Sequence, residues 1–155
     1  SDVQLINTAQ KTWTLEDYMH SYIEMGNQHY IDLQVFVEKW NLPISAGVRL
    51  LSDSGGHLNK FKLGEFMVEN PVKAAEVMQM VQVFKPYITN RIRRSREFLN
   101  AIYTIVERGI VTRDDMQERL DSYGKRLYQV DSVKEYLRQI EDVYNFNKKI
   151  QTRFY

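Results

Sequence analysis

Ser45, Arg49 and Ser52 stand at i, i+4 and i+7, so on a helix two hydroxyls and a guanidinium share one side. A helix that turns such a stripe outward can donate to base edges in a DNA major groove. Further along, Arg91, Arg93, Arg94 and Arg96 fall within six positions, with Glu97 the adjacent acid. Such a cluster repels itself unless something negative lies nearby. Phosphate is one answer, and acids elsewhere in the fold are the other. Lys60 and Lys62 are a third basic feature, read either as phosphate contacts or as ordinary surface lysines.

Catalysis has less to work with. His20, His29 and His57 lack the H-x-x-x-H spacing of a metal site, and Gly55-Gly56 is too short to cradle a phosphate. No serine lies in a nucleophile-elbow context, and Glu16-Asp17 and Asp114-Asp115 fall at helix starts, where capping explains them. The absence of cysteine removes a disulfide framework, a thiolate zinc site and a cysteine nucleophile together. The expectation is a non-enzymatic chain with no catalytic residue, no metal ligand and no cofactor.

The stripe at Ser45 must be held by its neighbours. Leu33, Phe36, Val37 and Trp40 have the spacing of an amphipathic helix, which Asn41-Leu42-Pro43 then interrupts. Ile44, Gly47, Val48 and Leu51 turn inward on the helix that follows, leaving Ser45, Arg49 and Ser52 outside. Two helices and a tight turn make a helix-turn-helix unit, although any two abutting helices of an all-α domain give a similar pattern. Asn41 tolerates the left-handed backbone such a turn requires, and Pro43 suits the first turn of the second helix. Gly47 occupies a position where a branched apolar residue is usual, which predicts a less firmly anchored second helix.

Before this unit, Thr14 is a candidate N-cap for a helix with Leu15, Tyr18, Met19 and Tyr22 on its inner face, ending at Gly26-Asn27. After it, Asp53 to His57 is turn chemistry, and Lys60 to Val68 is weakly strand-like, either a short hairpin or wing or a structural connector. Asn70-Pro71 restarts a helix whose wide apolar face, from Ala74 to Phe84, is either core or a partner surface. Beyond Pro86, Ile88, Ile92, Ser95, Leu99, Ile102 and Val106 predict one long helix packed lengthwise. Thr112 and Ser132 then cap two further helices, and the basic tail from Asn147 either holds phosphate or frays.

With 155 residues, 43% hydrophobic, 7 Gly and 3 Pro, the chain reads as mainly α. The expected fold is a helical bundle containing a helix-turn-helix, with at most a short β-hairpin near residues 60–68. A net charge of +1 leaves only local clustering to attract nucleic acid. No stretch reaches the length of a membrane span and no leader is visible, which predicts a cytoplasmic protein without a membrane partner.

Four stretches taken together carry a family likeness: Tyr30-x-x-Leu33-x-x-Phe36; Asn41-Leu-Pro-Ile-Ser45 with Leu50-Leu-Ser52; Lys62-x-Gly64-x-Phe66-x-Val68; and Val143-Tyr-Asn-Phe146 before the basic tail. The chain resembles the region that follows the N-terminal domain in ParB-like (partition-protein-like) proteins of phages and mobile elements. The resemblance implies a linker over 1–13 from a missing ParB/sulfiredoxin-like domain, then a helical DNA-binding domain over 14–155. Within it, 14–70 would hold the helix-turn-helix and 71–155 a helical lobe. Nucleotide binding or nuclease activity would belong to the missing domain. Double-stranded DNA is the expected partner, read by Ser45, Arg49 and Ser52, with Lys60, Lys62, Arg91, Arg93, Arg94 and Arg96 on phosphates. The alternative is a protein-interaction or dimerisation module of a larger DNA-processing or partition protein, a homodimer through the Val77–Phe84 face or the row from Ile88.

Overall fold

The computed structural model describes residues 12–52 and 58–155. Most of the expected linker, and the Asp53–His57 turn with its histidine, lie outside the described residues. The helices are α1 (Leu15–Glu24), α2 (Gln28–Trp40), α3 (Ile44–Leu51), α4 (Leu58–Lys62), α5 (Pro71–Val83), α6 (Asn90–Arg93), α7 (Arg96–Arg108), α8 (Arg113–Tyr123) and α9 (Val133–Asn145), with a 3-10 turn at Lys85–Tyr87. No strand occurs among the described residues, and the fold is a mainly α helical bundle. No helix among them is long and apolar enough to cross a membrane.

Side-chain caps set most of the helix starts. Thr14 and Asp17 form a reciprocal capping box at α1, and Thr112 and Ser132 accept backbone N–H groups at α8 and α9. The expected helix-turn-helix is realised as local structure. Asn41 takes the left-handed conformation at φ 51°, and Pro43 stands as N-cap immediately before α3. At the α2–α3 crossing Gly47 is the contact point rather than a weakness. A Cβ there would lie 2.4 Å from Val37 Cγ1 and 2.9 Å from Leu33 Cδ1, so the missing side chain is what lets the helices meet.

The two apolar faces read as core or, alternatively, as partner surfaces close on one another inside the chain. Ala74, Val77, Met78, Met80, Val81, Val83 and Phe84 are all buried, and α5 packs on α3, α7 and α8. The row from Ile88 is buried through Ile92, Leu99 and Ile102. It is not one helix: the chain breaks after Arg93, and Ser95 caps α7 by accepting the Phe98 N–H at 3.2 Å. Both surfaces proposed for dimerisation are therefore core.

Lys60 to Val68 also departs from expectation. Leu58–Lys62 is a short helix and an extended loop follows it. Tyr30 explains the change: its buried hydroxyl donates to Phe61 O at 2.6 Å and accepts from Phe66 N at 3.2 Å. Its ring packs among Tyr22, Phe61 and Phe66, and His29 Nδ1 accepts the Val68 N–H at 3.0 Å. Backbone groups that a hairpin would have paired with each other are satisfied by α2 instead.

The basic tail is anchored at two points, while Lys149 and Arg153 remain exposed. Asn145 exchanges two hydrogen bonds with the Thr152 backbone, at 2.7 and 2.8 Å. Glu141 accepts the Phe154 N–H at 2.8 Å, and the Phe154 ring is fully buried beside Tyr144.

Candidate anion-binding cleft between α3 and α7

The residues singled out for DNA fall in several local settings. Arg93 and Arg94 turn toward the end of α2, where backbone carbonyls have no helical partner. Arg93 donates to Trp40 O at 2.7 Å and Asn41 O at 3.1 Å, while Arg94 donates to Asn41 O at 2.7 Å and Asn41 Oδ1 at 2.9 Å. Cations at the negative end of a helix dipole need no phosphate. The structure gives both a role as clamps on the turn that precedes α3. Arg93→Ala is expected to lower stability by about 1–2 kcal/mol, a fall of roughly 2–8 °C in a thermal melt. An unchanged melting temperature would remove the clamp from the account.

Lys60 and Lys62 separate for a simple geometric reason. On a strand, residues two apart share a face, whereas on a helix they diverge. Lys60 lines a small recess with Val48 and Ser52, while the Lys62 carbonyl accepts the Tyr22 hydroxyl at 2.6 Å. Arg91 is exposed.

No residue of α3 is exposed, and the helix touches α1, α2, α4, α5 and α7. Ser45 is half-buried. Ser52 is only 8% exposed, and its hydroxyl donates to Val48 O at 2.8 Å, one turn back on its own helix. The expectation of an outward-projecting reading stripe is corrected at Ser52. The apolar lobe that covers α3 on its other sides leaves it as the floor of a cleft rather than a projecting ridge.

That cleft has a volume of about 320 Å³, with α3 contributing Ala46, Arg49, Leu50 and Ser52 and α7 contributing Arg96, Leu99, Asn100, Tyr103 and Glu107. Arg49 is half-buried and makes no hydrogen bond or ion pair among the described residues. Burial lowers its pKa from the ordinary arginine value, neighbouring Arg96 lowers it further, and Glu97 acts in the opposite direction. Arg96 is exposed at the mouth. Among the described residues no buried side-chain nitrogen or oxygen lacks a partner, so the Arg49 guanidinium reaches the solvent of the cleft. Glu107, the one acid in the lining, pairs with Lys73 at 3.8 Å, and the Lys73 ammonium also lies 5.4 Å from the centre of the Tyr103 ring.

Three of the predicted residues, Arg49, Ser52 and Arg96, are thus brought together, Arg49 and Arg96 across 47 positions of chain. Sequence reasoning missed Asn100, Tyr103 and Glu107. The signal was present: Arg96, Asn100, Tyr103 and Glu107 recur at four, three and four residues, a polar stripe beside the apolar row of α7. Among the described residues no cluster of His, Cys, Asp and Glu is placed to hold a metal ion. No protein-family model matches the chain, and neither the curated proteins nor the solved structures contain a match to it.

Proposed function

We propose that this chain is a non-catalytic domain that associates with duplex DNA through the phosphate backbone at the Arg49–Arg96 cleft, rather than by reading bases with α3. One observation carries the reading: two guanidiniums converge on an open cleft where neither has an acid within ion-pair distance among the described residues. Placing a half-buried cation without a partner opposes folding, and such arrangements concentrate at binding sites. The resemblance to ParB-like proteins of phages and mobile elements supports DNA as the source of the anion, and α3 lacks the exposed face that base readout requires.

The test is anisotropy of a labelled duplex between about 50 and 200 mM salt. Two phosphate contacts give a slope of log affinity on log salt of about −2, and Arg49→Gln or Arg96→Gln should each reduce it to about −1. The loss should be the same on two unrelated sequences. Absence of binding at low salt, or variants that bind as the parent does, would overturn the proposal.

A further inference from the structure

We infer that the α3–α7 cleft is a pocket for a terminal phosphate monoester, gripped by Arg49 and Arg96 and completed by Asn100 and Tyr103. The inference rests on the cleft being a phosphate site but goes further, because it specifies how the phosphate is attached.

Three features of the cleft point to a terminal group. Arg49 lies half-buried on the floor while Arg96 stands exposed at the mouth, so an anion must enter end-on to reach both. A backbone phosphodiester carries a sugar on each side and so approaches such a cleft side-on, across its mouth. A monoester has one substituent and presents three oxygens inward. Charge agrees with shape: the lining offers two guanidiniums, its acid Glu107 is paired with Lys73, and Glu97 acts on Arg49 more weakly than burial or Arg96 does. A monoester near neutral pH carries close to two negative charges, whereas a diester carries one.

The remaining donors fit the same geometry. Asn100 and Tyr103 line the cleft one helical turn apart on α7, and neither side chain hydrogen-bonds among the described residues. Leu50 and Leu99 supply an apolar border for the substituent. At about 320 Å³ the cleft exceeds the needs of a bare phosphate and stands at the lower end of small-ligand pockets. A phosphate with a sugar or a nucleoside attached suits that size. Two sources share this chemistry: the 5′-phosphorylated end of a DNA strand, and a free nucleoside monophosphate.

The experiment compares blunt duplexes of one sequence with 5′-phosphate or 5′-hydroxyl ends by anisotropy, alongside thermal melts of the whole chain with a nucleoside 5′-monophosphate, the matching nucleoside, or inorganic phosphate. Phosphorylated ends are expected to bind at least about tenfold tighter, the effect of one or two charge-assisted hydrogen bonds. Arg49→Gln and Tyr103→Phe should each shrink that ratio. Tyr103→Phe keeps the ring, so it serves if the arginine variant fails to fold. Displacement of the duplex by the mononucleotide, with stabilisation by it and not by the nucleoside, assigns the site to the free ligand and supports the inference. Equal affinity for both ends with no monophosphate-dependent shift overturns it. If that equal affinity still depends on Arg49, backbone association survives while the terminal-phosphate pocket fails. Monophosphate binding without affinity for either duplex has the reverse meaning.

Discussion

Gly47→Ala should lower the melting temperature by about 4–8 °C, corresponding to roughly 2 kcal/mol, and Gly47→Val by more. The sign is the informative part. In an unencumbered helix, replacing glycine by alanine stabilises by about 1 kcal/mol, because the backbone has less freedom to lose. Here the added carbon would meet Val37 Cγ1 at 2.4 Å and Leu33 Cδ1 at 2.9 Å. Leu33 is 0% and Val37 6% exposed, and neither has space to retreat. Circular-dichroism melts of the parent, Gly47→Ala, Val37→Ala and the double variant form a cycle in which Val37→Ala should recover part of the loss. An alanine variant as stable as the parent would show that α2 and α3 do not meet at Gly47.

Tyr30→Phe keeps the ring and removes one oxygen, yet it should destabilise by about 1–3 kcal/mol. That oxygen serves two buried backbone groups, and the variant leaves Phe66 N without a partner and Phe61 O with the Gly64 N–H alone, in a site closed to water. Amide exchange at Phe66 should accelerate along with the fall in melting temperature. A loss below about 0.5 kcal/mol with the Phe66 amide still protected would refute the two-bond account. Alkaline behaviour gives a second readout. Burial chiefly raises the Tyr30 pKa from its ordinary value of 10.0, against the lowering effect of the Phe66 N–H. The unfolded chain therefore releases this proton first, and the stability linked to it is whole below pH about 10 and declines as pH rises beyond. The phenylalanine variant should lack that part of the alkaline decline.

What could be read from the sequence was mostly local. Thr14, Thr112 and Ser132 marked helix starts because a capping oxygen works within three residues of its own position. Asn41 announced the turn because few residues accept its backbone conformation. The wide apolar face of α5 was correctly allowed to be core, and its partners decided the matter. The errors concern groups whose partners lie far away in sequence. Arg93 and Arg94 look surplus in charge until Trp40 and Asn41 arrive across more than fifty positions with unpaired carbonyls. Lys60 to Val68 alternates like a strand because nothing within it reveals that Tyr30 will take its backbone groups. Gly47 suggested slack when judged by its own helix alone. As for the cleft, Arg49 and Arg96 were named separately, but their meeting depends on the chain break at Ser95, which an uninterrupted apolar spacing concealed.

The grip of Arg93 and Arg94 on Asn41 has a consequence for kinetics. It ties the segment just before α7 to the segment just before α3, so the two walls carrying Arg96 and Arg49 share a common brace. For an anion bound as proposed, the spacing between them is set in advance, and little further ordering entropy would remain to be lost at capture. Capture as proposed would then be a simple encounter, governed by diffusion and ionic strength rather than by the opening of a gate.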